Sequence, residues 1–147
     1  MEIIEVEKDK KTYIDLLLLA DEQEDMIDRY LERGIMYALV DNGVKAICVI
    51  TDEGNATLEI KNIATRPEYQ HKGYGKKLIE FIEKRYKGLY TILKVGTGDS
   101  PLTIPFYKKC GFKESYRVKD FFIDNYDHPI FECGKQLIDM IYLEKSL

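Results

Sequence analysis

Ile63-Ala64-Thr65-Arg66-Pro67-Glu68-Tyr69-Gln70-His71-Lys72-Gly73-Tyr74-Gly75-Lys76-Lys77-Leu78-Ile79 reads as the end of a buried strand, a short loop and the start of a helix. Gly73 and Gly75 lack a Cβ, so backbone can approach a ligand closely there, and the N–H groups of a first helical turn have no intrahelical acceptors. With the helix dipole behind them and Lys72, Lys76 and Lys77 around them, these amides suit an anion, a pyrophosphate better than a single carboxylate. The helix itself is well specified. Leu78, Ile79, Ile82 and Tyr86 fall on one face, Glu80 with Lys84 and Glu83 with Lys87 pair on the other, and Gly88 supplies a stop. Two nucleotide motifs do not fit: the third glycine of a dinucleotide fingerprint is missing, and so is the Gly-to-Gly-Lys spacing of a P-loop.

Upstream of this stretch, Glu2 to Val6 is a short strand, and Lys10 to Ala20 a helix whose run Leu16-Leu17-Leu18-Leu19 calls for deep burial. Asp21-x-x-Glu24 has the form of a capping box. It opens a second amphipathic helix carrying Met26, Ile27, Tyr30 and Leu31 and ending at Gly34. Ile35 to Asp41 and Val44 to Thr51 flank Asn42-Gly43, the pair that accepts the positive φ angles of a type I′ hairpin turn. Ala56 to Thr65 is a third strand. Its alternation slips between Ile60 and Ile63, which predicts either a β-bulge at Lys61 or Asn62 or a strand buried on both faces.

Downstream, Leu89 to Val95 is a strand parallel to the one before the helix, because a helical crossover separates them. A loop from Gly96 to Pro101 offers Ser100 as an N-cap, and Pro105 requires the next helix to bend or to start later. Gly111 ends that helix. Phe112 to Val118 is a strand, Lys119 to Gly134 a long aromatic-rich connection, and Gln136 to Leu143 the last strand. The order is β-α-α-β-β-β-α-β-α-β-β, an α/β architecture.

Gln70-His71-Lys72-Gly73-Tyr74-Gly75 matches the pattern Gln/Arg-x-x-Gly-x-Gly/Ala, and Phe106-Tyr107-Lys108-Lys109-Cys110-Gly111-Phe112 lies at a fitting distance downstream. Together these resemble the acyl-CoA loop and the second signature of the GNAT superfamily of N-acetyltransferases, and the order of elements is similar to that fold over essentially the whole chain. The departure is the connection from Lys119 to Gly134, which the shortest members replace by a tight hairpin. The resemblance implies a central mixed, mostly antiparallel sheet of about seven strands with four helices. It also implies acetyl-CoA as co-substrate, no metal, and transfer of an acetyl group to an amine by direct attack on the thioester.

Carried over residue by residue, the resemblance gives Gln70, His71, Lys72, Gly73, Tyr74, Gly75 and Lys76 to the cofactor, and the backbone of Ile63, Ala64 and Thr65 to the thioester carbonyl. A fixed N–H aimed at a developing oxyanion needs no reorganisation when charge appears. Tyr107 matches the general acid for the departing thiolate, and also a cofactor contact; its alternative is one of eleven tyrosines packing a helix face. Glu59 stands where some members carry a general base, or is the solvent-facing member of an alternating strand. Ser100 replaces an asparagine that touches the cofactor in many members. Glu22, with Asp21, Glu24 and Asp25, would rim the acceptor pocket in a way that attracts a cationic amine, unless these acids only complement a helix dipole. Phe121 and Tyr126, with Phe122 and Phe131, would wall the pocket or pin the connection to the core.

Composition limits the alternatives. The 147 residues suit one acyltransferase domain spanning 1–147, and 45% hydrophobic with 33% charged residues is ordinary for a globular protein. The net charge of −4 disfavours nucleic acid. No apolar run is long enough for a membrane span, and the first residues lack the features of a signal peptide, so the expected place is the cytoplasm. Cys48, Cys110 and Cys133 are widely spaced and odd in number, which predicts buried reduced thiols. The expected partner is a small-molecule or peptide amine, and the chain is a monomer or homodimer. The rival functions are a non-catalytic acyl-CoA sensor of the same fold and a structural protein with a coincidental loop.

Overall fold

Asn42 and Gly43, with φ of 56° and 97°, close the hairpin that starts the sheet. A computed structural model describes residues 1–147. The strands are β1 (Glu2–Val6), β2 (Ile35–Val40), β3 (Val44–Gly54), β4 (Thr57–Thr65), β5 (Ile92–Gly98), β6 (Lys113–Val118), the short pair β7 (Phe131–Glu132) and β8 (Lys135–Gln136), and β9 (Met140–Ser146). The helices are α1 (Ile14–Ala20), α2 (Glu24–Asp28), α3 (Tyr74–Tyr86), α4 (Thr103–Lys109) and α5 (Phe121–Asn125). Seven strands form one sheet in the order β1-β2-β3-β4-β5-β9-β6, antiparallel throughout except at β4–β5.

The sheet has two covered faces. Tyr37, Cys48, Ile50, Leu58, Ile60, Val95 and Leu143 face α3 and α4, where Leu78, Ile79, Ile82 and Tyr86 complete the larger core. Met36, Ala38, Ile47, Val49 and Ala64 face α1 and α2, meeting Leu16, Leu17, Ile27 and Leu31. The deep burial expected of the leucine run in α1 holds only for Leu16 and Leu17; Leu18 is half-buried and Leu19 exposed.

The slip in β4 is a bulge. Val49 lies opposite Asn62 but Ile50 opposite Ile60, so Lys61 is the extra residue. Without it Asn62 would point at the α3 side; with it Asn62 joins Glu59 on the α1–α2 side. The strand is also buried on both faces, with Leu58, Glu59, Ile60 and Asn62 all 4% exposed or less, so the two readings of the slip both hold.

Several expectations are corrected. Five helices form rather than four, because the connection holds α5 and a separate β7–β8 hairpin. Asp21 and Glu24 do not make a capping box: the N-cap of α2 is Gln23, with no side-chain cap bond, and Asp21 turns elsewhere. The strand placed at Leu89 to Val95 runs from Ile92 to Gly98, and the last strand runs from Met140 to Ser146. The extension of β5 to Gly98 has a steric reason. Gly96 and Gly98 read as loop residues, yet they are strand positions where a Cβ would meet the Tyr142 ring at 2.8 Å and Leu137 at 2.6 Å. Pro105 is the third residue of α4, where its missing N–H costs little, so the helix starts later rather than bending. Cys48 is buried, but Cys110 is partly exposed and Cys133 exposed; all three are free.

Gly34 marks the tightest junction between the α2 turn and the sheet. An added Cβ would lie 2.8 Å from Val49 Cγ1 and 2.9 Å from the Tyr30 carbonyl oxygen. Backbone on that side does not yield easily. Gly34→Ala is expected to cost about 2 kcal/mol and lower the melting midpoint by roughly 5 to 10 °C, read by thermal denaturation.

Candidate active site

β4 and β5 pair over Thr57–Ile60 and Ile92–Val95 and then part, although β4 continues to Thr65 and β5 to Gly98. The bulge at Lys61 bends one strand away, and β5 stays with β9 as far as the pair Gly98 and Met140. A wedge therefore opens inside the sheet. The Arg66 N–H donates to the Lys45 carbonyl at 2.9 Å. Alternate residues of an antiparallel strand share a side, so the Ala64 N–H also faces β3, while those of Ile63 and Thr65 face the wedge. Of the three positions expected to hold a carbonyl, Ile63 and Thr65 thus aim their amides into the opening.

At the mouth of the wedge the chain turns through Gln70, whose Nε2 donates to the Thr65 carbonyl at 3.3 Å, and through His71, at φ 64°. Gly73, at φ 85°, is the N-cap of α3 and supplies no side-chain cap. The first intrahelical bond runs from the Lys77 N–H to the Gly73 carbonyl at 3.0 Å. The amides of Tyr74, Gly75 and Lys76 are left for an outside acceptor. Lys45 lies 4.0 Å and Lys72 5.7 Å from the Tyr69 ring centre, and the Tyr74 hydroxyl is fixed to Asp41 at 2.9 Å. Lys72, Lys76 and Lys77 are exposed around the turn. Gly75 is needed for contact: a Cβ there would meet Phe106 Cζ at 3.3 Å. The two sequence motifs therefore touch, through Gly75 and Phe106.

Tyr107 follows Phe106 on α4 and is 6% exposed, packed edge-on against Phe112 at 5.8 Å. Burial pushes its phenol above the ordinary value, so it stays protonated across the neutral range. Burial likewise pushes the Cys48 thiol up to about 12, which removes it as a nucleophile. Ser100, 2% exposed, accepts the Leu102 N–H at 3.1 Å and serves the turn into α4.

On the other face, Glu59 is 4% exposed and ion-paired to Lys61 at 3.1 Å and Lys94 at 3.6 Å. It is therefore no solvent-facing strand residue. Lys94 also donates to the Tyr116 hydroxyl at 3.0 Å, and Tyr116 stacks on Tyr142 at 4.7 Å. Tyr142 and Met140 lean across the bare backbone of Gly96. Over this face the Lys119 to Gly134 connection reaches the α1–α2 loop. The Tyr126 hydroxyl donates to Asp21 at 2.7 Å, the Asp127 N–H to Gln23 Oε1 at 3.0 Å, and Arg29 to Asn125 at 3.2 Å. Phe121 and Phe122 pack against Tyr126 behind it.

Glu22 is exposed on this loop and is brought to none of these groups; its neighbour Asp21 is. Sequence reasoning gave no place in the site to the side chains of Lys94, Tyr142, Tyr30 and Asn62. Only Asn62 left a signal, as a lone amide among apolar residues beside the slipped alternation. A depression of about 580 Å³ lined by Tyr37, Asp52, Arg85 and Tyr90 lies at the other end of α3. Thirteen residues of helix separate it from the glycine turn, about 20 Å, so it is no part of this site. No three His, Cys, Asp or Glu side chains converge as metal ligands, and no helix is long and apolar enough to cross a membrane.

The arrangement is a slot through a sheet, with free amides and lysines at one end and a buried phenol and a carboxylate on opposite faces. A family model described as an acetyltransferase (GNAT) domain matches residues 32–114. The uncharacterized N-acetyltransferase YvbK of Bacillus subtilis (strain 168) is 41% identical over 136 residues, covering 90% of this chain and 88% of that protein. A GNAT family acetyltransferase from Elizabethkingia anophelis, solved with acetyl-CoA bound, superposes with a TM-score of 0.93 at 36% identity, covering 99% of this chain and 97% of the other. A Bacillus subtilis acetyltransferase in complex with CoA superposes at 0.89 with 38% identity, covering 99% and 98%. The chain belongs to the GNAT family of acetyltransferases.

Proposed function

We propose that residues 1–147 act as one domain that transfers an acetyl group from acetyl-CoA to a primary amine of a small molecule or peptide. The observation that carries the reading is the wedge between β4 and β5, with the unbonded first turn of α3 at its mouth and Tyr107 beside it. Relatives solved with acetyl-CoA and with CoA support the choice of co-substrate.

The residues fit that substrate. The amides of Tyr74, Gly75 and Lys76, with Lys72 and Lys76, take the pyrophosphate, in line with Gln70 and His71 holding the turn open. Ile63 and Thr65 amides polarise the thioester carbonyl and hold the oxyanion that forms when the amine attacks; Ala64 keeps the strand in register. As the tetrahedral centre collapses, the carbon–sulfur bond breaks and the sulfur takes a proton from the Tyr107 hydroxyl. The burial that makes this phenol a weaker acid also disfavours a bare thiolate beside it, so the transfer stays feasible. Glu59, ion-paired to Lys61 and Lys94, accepts the proton that the attacking nitrogen loses. Ser100 shapes the turn beside the cofactor. Phe121 and Tyr126 wall the acceptor side, and Glu22 adds charge at its rim.

Three measurements test this. Acetyl-CoA at a hundredfold excess over its dissociation constant is expected to add about 2.7 kcal/mol and raise the melting midpoint by roughly 5 to 10 °C, with adenine nucleotides as controls. No shift at saturation would sink the acyltransferase reading. Tyr107→Phe is expected to keep that shift and lose about a hundredfold in kcat; retained turnover would remove the tyrosine as acid, while an enzyme inactive on every amine would favour a sensor. Glu59→Gln is expected to lower kcat/KM about a hundredfold, with part of the loss restored at higher pH, where more of the amine arrives already neutral. A loss independent of pH would assign Glu59 to the ion pairs alone.

A further inference from the structure

Two ammonium groups meet one carboxylate on the acceptor side. Lys61 lies 3.1 Å from one oxygen of Glu59 and Lys94 3.6 Å from the other. Beyond that carboxylate, the acceptor they have within this chain is the Tyr116 hydroxyl, taken by Lys94 at 3.0 Å. An ammonium carries three donors, so most of these N–H groups are left for an outside acceptor. The lysine side chains are 21% and 16% exposed, too enclosed for water and salt to screen them fully and open enough for a solute to reach.

Neighbouring carboxylates do not make up the difference. Glu53, the other carboxylate whose charge acts on both lysines, is held by Arg33 at 3.1 Å and by the Thr51 hydroxyl at 2.6 Å. Glu144 stands between Lys94 and Lys113 in register and forms no ion pair with either. Arg33, Lys61, Lys94 and Lys113 thus stand against Glu53, Glu59 and Glu144, which leaves one positive charge in excess.

The cluster borders the wedge. Lys94 is the register partner of Glu59, and Gly96, two residues on, is the first residue of β5 past its pairing with β4. There Tyr142 leans over the bare backbone, and Lys94 lies 5.1 Å from its ring centre and 5.6 Å from that of Tyr116. Burial, and then the charge of Glu59, raise the Tyr142 phenol, so ring and carboxylate are neighbours. A group that enters here meets N–H donors and positive charge.

Resting on the acyl-transfer reading, we propose that Lys61 and Lys94 bind a carboxylate of the acceptor, so that this chain acetylates free amino acids rather than simple amines or peptide ends. The two lysines flank Glu59, which takes the proton of the amine, so amine and carboxylate lie only a few atoms apart on the acceptor. An α- or β-amino acid has that span. The transfer itself is unchanged. The nitrogen bonds the acetyl carbon, the carbon–sulfur bond breaks, the nitrogen's proton goes to Glu59, and the sulfur takes one from Tyr107.

The test measures CoA release from acetyl-CoA by the full chain, with the free amino acids of proteins and β-alanine each set against its own carboxamide. The carboxamide keeps the shape and loses the charge. Its amine, with no carboxylate beside it, is more often neutral, so without a carboxylate subsite the amide is the better acceptor. The wild type is expected to turn over at least one free acid with a kcat/KM about tenfold or more above that of its amide. Lys61 is the residue to change, because Lys94 also holds Tyr116. Lys61→Gln is expected to lower the acid-to-amide ratio about tenfold, through the KM of the acid, and Lys61→Arg to restore most of it. A merely structural lysine would lower acid and amide together and leave their ratio as it was. The inference is overturned if amides equal or exceed acids across the panel, if neither is turned over, or if Lys61→Gln keeps the ratio. If acetyl-CoA gives no melting shift, the acyl-transfer reading falls, and this inference with it; a shift with turnover of amides alone removes this inference only.

Discussion

The parting of β4 from β5 after four residue pairs is the constraint from which the rest of the site follows. Inside a sheet, unbonded backbone groups facing each other are costly unless something else takes them. Here the bulge at Lys61 and the unbroken pairing of β5 with β9 force the separation, and the amides of Ile63 and Thr65 are what it exposes. The same bulge changes the parity of the strand, so that Glu59 and Asn62 share the α1–α2 face. One inserted residue thus opens the slot and supplies side chains to its acceptor side.

The two faces then divide the chemistry. On one, α3 begins with a glycine and free amides, and α4 lies close enough for Phe106 to touch Gly75 and for Tyr107 to be enclosed. That side presents unpaired amides, lysines and a protonated phenol. On the other, Glu59 is clamped by Lys61 and Lys94, Tyr142 leans over Gly96, and the connection meets Asp21 through Tyr126. Its polar groups are charged and aromatic. The slot joins the two faces of the sheet.

Much of the first side was legible in the sequence because its signals are local. A strand, a glycine turn and a helix face occupy consecutive residues, and α3 forms with Leu78, Ile79, Ile82 and Tyr86 buried together as their spacing requires. Local signals failed where one residue serves two grammars. Gly96 and Gly98 read as loop because glycine weakens strands, yet here they give room for Tyr142, Met140 and Leu137. Asp21 read as half of a capping box, yet its partners are two tyrosines, one of them at Tyr126 in the connection. No pattern within ten residues of Asp21 announces Tyr126. For the same reason Lys94 and Tyr142 carried no sign of their place beside Glu59.

The difference in range between the two sides has a consequence for how this chain folds and varies. Residues 57–112 hold the glycine turn, the parted strands and the enclosed phenol, and they follow one another closely in the chain. The roof over the opposite face depends on Tyr126 finding Asp21 across 105 positions. Contacts of that span close large loops and come late in folding. The chain therefore has a sequence-local part around the parted strands, completed by β9, and a connection whose contacts with the α1–α2 loop are of long range.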